Sequence, residues 1–289
     1  MKTLFNNLMF VGAVICLATL STTSAEEKKE GATPPKLVSI FPDKNLEKAV
    51  RRVVFEKRNN DQPITEKDVE NISEINGKGM GIADLTGLEK CHSLASLDLS
   101  ANQIKSVAPI GGLPRLQLLN LSNNQIEDIG PLKGNLALQY IELSDNRVRD
   151  LSPVAGLTNL RNLYLSHNVI RDLQPVVGLR DLVSLYLDGN AISSLHGIGS
   201  LIWLKTLSLN DTGLSDLAGI DGMQSLNLLF LERNKISELT PLVEVIKRDA
   251  EGKRQFAPYL SVYLAGNPLS NGAKSSIESL KTFGVNVKQ

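Results

Sequence analysis

One asparagine recurs along this chain at a fixed step. Asn102, Asn124, Asn146, Asn168 and Asn190 are each 22 residues apart; Thr212 and Asn234 keep the step, and Asn267 follows after 33. The same apolar frame surrounds each. One repeat reads Leu94, Leu97, Leu99, Asn102, Ile104, Val107 and Ile110; three repeats on, it reads Leu160, Leu163, Leu165, Asn168, Ile170, Leu173 and Val176. A unit this short cannot bury its own apolar side, but a stack of units can. A length of 289 residues suits one elongated repeat domain better than one compact domain.

Leu97 and Leu99 alternate with polar residues, so each repeat contributes a short strand with one face buried, about 4.8 Å from the last. The asparagine stands where the chain leaves the strand. Its amide carries two donors and an acceptor, enough to serve turn backbone that no sheet partner satisfies. Stacked asparagines should form a ladder, and Thr212, with one donor, should be its weak sixth rung.

The ends depart from the frame. Over 39–71 the pattern predicts a helical N-terminal cap: Leu46, Ala49, Val50, Val53 and Val54 fall on one helical face, Asp43 is an N-cap, and Thr65 to Asp68 resembles a capping box. Residues 72–93 read as a degenerate repeat, in which Ile72 and Ile75 keep the frame while Gly77 and Met80 break it. The regular repeats, about eight, occupy 94–269. An insertion at 242–258 begins helically with Leu242, Val245 and Ile246. Over 270–289, Ala273, Ile277 and Leu280 share a helical face, Gly284 stops the helix, and Val285 and Val287 predict a covering strand.

The first residues read as an export signal over 1–25: Lys2, a short apolar stretch from Leu8 to Leu20, then the small residues Thr23-Ser24-Ala25. A charged, Pro-bearing tether over 26–38 follows. Cleavage after Ala25 would leave Cys91 as the one cysteine, so packing rather than a disulfide must hold the fold. Cys91 stands where other repeats carry Leu113 and Leu157 and reads as a core thiol. No integral membrane segment is expected after cleavage. Lys+Arg and Asp+Glu are both 31, which argues against nucleic acid as a partner.

The L-x-x-L-x-L-x-x-N-x-I frame is the leucine-rich-repeat signature. Its 22-residue form resembles that of the bacterial internalins and related secreted repeat proteins. FPDKNLEKAV, ITEKDVENISEIN and GIADLTGLEKCHSLASLDLSANQI are similar to an internalin-type N-terminal cap running into its first repeat. The fold this implies is an α/β solenoid: a leucine-rich-repeat horseshoe with a parallel concave sheet, a helical N-terminal cap and a C-terminal helix–strand cap. The resemblance also implies recognition of protein or glycan partners through the concave sheet. The chain reaches Gln289 without a cell-wall sorting signal, so a free periplasmic or extracellular protein, monomeric, is the expectation.

Parallel sheets are normally covered on both faces. Here the strands alternate, so one face is left bare and is the natural site. Its residues lie six, four and two positions before each rung, and four of the five tyrosines are among them: Tyr140, Tyr164, Tyr186 and Tyr263. Tyrosine combines a large apolar face with a hydroxyl and is common on recognition surfaces. With Phe230 these residues would form a stripe of about 24 Å at the strand spacing. Glu142, Asp188 and Glu232 complete the candidate site, alongside Asp98, Asp145 and Asp211; Arg233 is the one clear base on this face. The competing reading is packing, since aromatic neighbours across strands stabilise a sheet, but the exposed aromatics favour binding.

No catalytic, cofactor or metal site is expected. His92, His167 and His196 lie in different repeats, and no nucleophile has a partnered base. Gly77, Gly79 and Gly81 read as turns rather than a phosphate loop. Trp203, the lone tryptophan, is expected to pack along the edge of the solenoid. A ligand-binding role is therefore set against a structural spacer in the envelope and, more remotely, an enzyme.

Overall fold

The computed structural model describes residues 38–252 and 256–289. The expected signal peptide over 1–25 and all but the last residue of the tether over 26–38 lie outside them. The described residues build one ten-stranded sheet whose strands follow chain order. The strands are β1 (Glu74–Asn76), β2 (Ser96–Asp98), β3 (Leu118–Asn120), β4 (Tyr140–Glu142), β5 (Asn162–Tyr164), β6 (Ser184–Tyr186), β7 (Thr206–Ser208), β8 (Leu228–Phe230), β9 (Ser261–Tyr263) and β10 (Asn286–Lys288). Every pairing is parallel, and the central residues align as Ile75, Leu97, Leu119, Ile141, Leu163, Leu185, Leu207, Leu229, Val262 and Val287. From Ile75 to Val262 these central residues are buried, while nearly all of their strand neighbours keep some exposure. The fold is a leucine-rich-repeat solenoid.

Each regular rung ties two repeats together. Asn146 Nδ2 donates to Leu143 O (3.0 Å) and Ser144 O (3.3 Å) in its own turn and to Leu121 O (2.9 Å) in the repeat before. Its Oδ1 accepts from Ile126 N (3.0 Å), also in the repeat before. Asn102, Asn124, Asn168 and Asn190 repeat the pattern. The rungs of this series therefore bond backbone rather than one another. The residue before each rung is left-handed, with φ between 55° and 57° at Ala101, Asn123, Asp145, His167, Asp211 and Arg233, and with glycine at 189 and 266. That backbone places successive carbonyls within reach of one amide.

A second buried asparagine went unread in the sequence. Asn135 occupies the column of Leu113, Leu157 and Leu179, is fully buried, and accepts from Gly112 N (2.9 Å) while donating to Ile110 O (2.9 Å). On the return arc most repeats make a 3-10 turn, such as Ser152–Val154 or Gln174–Val176. Asp150 and Asp172 open these turns by accepting from the N–H two residues on.

Helix α1 (Lys44–Arg51) caps the first strand. One carboxylate does two jobs there. Asp43 Oδ1 accepts from Asn45 N and Leu46 N, and Oδ2 accepts from Ala83 N (2.8 Å) and Asp84 N (3.1 Å), joining the cap to the first turn of the solenoid. The helix is shorter than the apolar spacing predicts. It ends at Arg51, whose guanidinium binds the Lys57, Asn60 and Gln62 carbonyls. The chain turns away there, so Val53 is exposed and Val54 alone of that pair is buried. Helix α2 (Glu66–Val69) opens with Asp68 Oδ2 accepting from Thr65 N (2.6 Å). In the insertion, α3 (Thr240–Glu251) buries Leu242, Val245 and Ile246. Helix α4 (Asn271–Thr282) is capped by Ser270, ends before Gly284 at φ 95°, and leads into β10.

Candidate functional site

All eight candidate residues lie along the uncovered face of the sheet or at its strand exits, and all are partly exposed. The sheet register makes Glu142, Tyr164, Tyr186, Ser208, Phe230 and Tyr263 direct neighbours in one column. Tyr164 and Tyr186 stack with ring centroids 4.9 Å apart and planes at 25°. Tyr140 starts its strand rather than ending it, and so meets Tyr164 diagonally at 5.3 Å and 43°. Phe230 and Tyr263 stack at 4.6 Å and 20°.

The expected continuous stripe is in fact two clusters. Between Tyr186 and Phe230 stands Ser208, which is 2% exposed. Its hydroxyl donates to Asp188 Oδ1 (2.6 Å), and Asn210 N donates to the same oxygen (2.7 Å). Asp188 is therefore drawn across the gap as a backbone cap. Glu232 follows it at the next exit but one, with its own N–H donating to Asn210 Oδ1 (2.7 Å).

Burial pushes the Tyr140 hydroxyl up to about 12, helped by the charges of Glu142, Tyr164 and Asp98. Burial also raises Tyr164, with Tyr186 and Glu142 adding to it. Both hydroxyls therefore stay neutral near pH 7. Glu142 is raised by burial and by Asp145, against the two Ser144 hydrogen bonds that favour its charged form. No ion pair reaches Glu142, Asp98, Asp188 or Glu232 among the described residues.

Three features depart from the sequence reading. Arg233 is not free for a ligand: it pairs with Asp211 at 2.7 Å. A second base joins this face, because β10 places Lys288 beside Tyr263. The concave face also dips past Tyr140, where Ser96, Asp98, Leu118, Asn120 and Tyr140 line a hollow of about 240 Å³. Leu118 is 47% exposed there, and a leucine in a column that is polar at Ser96 and Asn162 was the available signal. Cys91 is fully buried, and burial, with Glu89 adding, pushes its thiol up to about 12. Among the described residues no cluster of three or more potential metal ligands occurs, and no helix is long and apolar enough to cross a membrane.

Residues 92–134, 114–157, 136–178 and 158–200 each match the family described as Leucine Rich repeats (2 copies). Internalin H of Listeria monocytogenes is 30% identical over 106 residues, which is 36% of this chain and 19% of that protein. This chain thus spans about a fifth of the length of that relative. The crystal structure of internalin C2 from Listeria monocytogenes is similar at a TM-score of 0.68 and 30% identity, over 71% of this chain and 91% of that one. A leucine-rich-repeat protein of Leptospira interrogans is similar at 0.62 and 27%, over 70% and 50%. The chain is a leucine-rich-repeat protein, and within that class it belongs to the internalin-like proteins.

Proposed function

We propose that this chain is a secreted, non-catalytic binding protein that recognises a protein or glycan partner through its concave face. The contact residues are Tyr140, Glu142, Tyr164, Tyr186, Asp188, Phe230, Glu232 and Tyr263. It acts as a monomer in the periplasm or the extracellular space, after removal of 1–25. The observation that carries the reading is the gathering of four tyrosines and Phe230 on one uncovered face, in two clusters that keep partial exposure. Accessible aromatic surface rimmed by polar groups is a common mark of a contact site. The internalin-like family supports binding over catalysis, and the shallow sheet offers no convergent nucleophile and base.

A spacer role is favoured by one observation: the rings stack on one another, and the acids between them cap turns. A triple variant, Tyr164→Ser/Tyr186→Ser/Phe230→Ser, separates the readings. Wild type immobilised against envelope or extracellular extract should capture a partner that the variant loses. Equal capture by both, with a lowered melting temperature in the variant, would leave the rings as packing. N-terminal sequencing of the mature protein should begin at Glu26. An enzymatic turnover that survives repurification would overturn the non-catalytic reading.

A further inference from the structure

Trp203 belongs neither to the core nor to the concave face. Rather than packing along the edge, it is 57% exposed, and Ile202 beside it is 37% exposed. Other repeats carry Ser93, Arg115, Ala137, Asn159 and Asp181 at this position, so the repeat frame does not call for an indole. Trp203, Ile202, Lys205, Gln224, Ser225 and Asn227 line a hollow of about 440 Å³ between two successive repeats. That volume falls within the range of about 300–1,000 Å³ typical of small-ligand sites. The side chains of Lys205, Gln224, Ser225 and Asn227 have no hydrogen bond or ion pair to protein among the described residues.

We propose that this edge hollow is a carbohydrate subsite, separate from the concave face. A pyranose ring has one face of C–H bonds and a rim of hydroxyls. It therefore needs a flat apolar platform bordered by donors and acceptors. The indole supplies the platform. Two amides, a hydroxyl and an ammonium supply the border, and a sugar hydroxyl, which both donates and accepts, can meet every one of them. A protein partner would have to match the four groups one by one. Gln224 also lines a neighbouring hollow of about 300 Å³ with Met223, Val245, Arg248 and Phe256, beside α3. A linear glycan of more than one unit can continue into it, which gives the insertion a role as a wall.

The chain has one tryptophan, so its fluorescence reports on this site without a label. The full chain is titrated with N-acetylchitotriose, cellotriose and maltotriose. At least one should give a saturable blue shift of the emission. Calorimetry should show that binding is lost in Trp203→Ala. It should weaken by about tenfold or more in Gln224→Ala/Asn227→Ala, whose emission without sugar should match wild type. The proposal is overturned if none of the three sugars gives a saturable change up to about 20 mM. It is also overturned if the double variant binds with wild-type affinity. A shift that depends on protein concentration alone, with a Trp203-dependent dimer in sedimentation, would make the hollow a contact between copies of the chain and not a sugar site.

Discussion

The five rungs from Asn102 to Asn190 and the rung at Thr212 occupy the same place in the frame, yet they face opposite ways. Each asparagine reaches back, taking an N–H from the repeat before it and giving to a carbonyl there. Thr212 reaches back to nothing. Its hydroxyl lies near Leu209 O in its own repeat (3.1 Å) and near Asn234 Oδ1 in the next (2.9 Å). Asn234 absorbs the change: its Oδ1 accepts from Thr212 N (3.0 Å) and Leu214 N (3.1 Å) as well. The Ile192 N–H, which an asparagine at 212 would receive, has no protein partner among the described residues although Ile192 is fully buried. The junction before Thr212 is thus held by strand pairing, core contacts and the Asp188 carboxylate, which takes the Ser208 hydroxyl and the Asn210 N–H, but it lacks the tie that a rung supplies elsewhere. In a solenoid, stability is close to a sum of repeat and nearest-neighbour terms, so one missing tie weakens one junction.

The comparison can be broken most directly at a regular rung. Asn146→Ala removes four hydrogen bonds at once; the Leu121, Leu143 and Ser144 carbonyls keep Asn124, Asn168 and Asn123 as donors, but the Ile126 N–H loses its partner. The expected loss is about 3 kcal/mol or more, read as a fall in the urea midpoint. Thr212→Ala, which severs no tie to the preceding repeat, should cost clearly less; equal losses would mean that the reach between repeats is not what the rungs contribute.

Asn135→Leu is the next largest. It restores the residue type of its column, but strands the Gly112 N–H and the Ile110 carbonyl. We expect a loss of about 1–2 kcal/mol, and a gain on chemical denaturation would show that its hydrogen bonds are worth less than a leucine. Thr212→Asn should then sharpen the comparison in the opposite direction. It gives the Ile192 N–H a partner and should raise the midpoint by about 1 kcal/mol. Hydrogen exchange should slow at the 187–192 amides in particular, whereas slowing spread evenly along the chain would remove the junction from the explanation.

The smallest effect is in pH. Burial would raise Asp43, Glu47 and Asp68, but backbone N–H groups around Asp43, Lys44 and Arg51 around Glu47, and Lys57 with Thr65 around Asp68 hold all three below the usual carboxylate range. A depressed carboxylate contributes its full stability above its unfolded pKa of about 4 and loses it as pH falls through the lower folded value. The N-terminal cap should therefore loosen below about pH 4. Glu142, raised by burial, has the opposite sign: its charged form weighs against the fold, and protonation relieves it. Glu142→Gln should raise the midpoint at pH 7 and leave it unchanged at about pH 3. A variant midpoint that tracks wild type at both would remove burial as the cause.

Much of this was readable without coordinates. The leucine columns, the order of the strands and the weakness of Thr212 follow from a 22-residue period, because burial and strand alternation are imposed locally in every unit. The position of each concave residue was legible for the same reason. What these residues do to one another was not. Tyr164 meets Tyr186, and Ser208 parts them from Phe230, across distances of 22 residues in sequence. Whether Asp188 faces a ligand or a neighbouring hydroxyl is decided by that neighbour. The role of Asn135 in a leucine column depends on its partners in the preceding turn, and Lys288 reaches the concave face because β10 adds to the sheet. Trp203 stays exposed because the next repeat sets the polar Gln224, Ser225 and Asn227 around a hollow beside it rather than an apolar cover. The period sets which way each side chain points, since that depends on a residue's own place in its turn. Pairing, exposure and the break in the aromatic column depend on what the next turn places against it, and that is settled only when the turns stack.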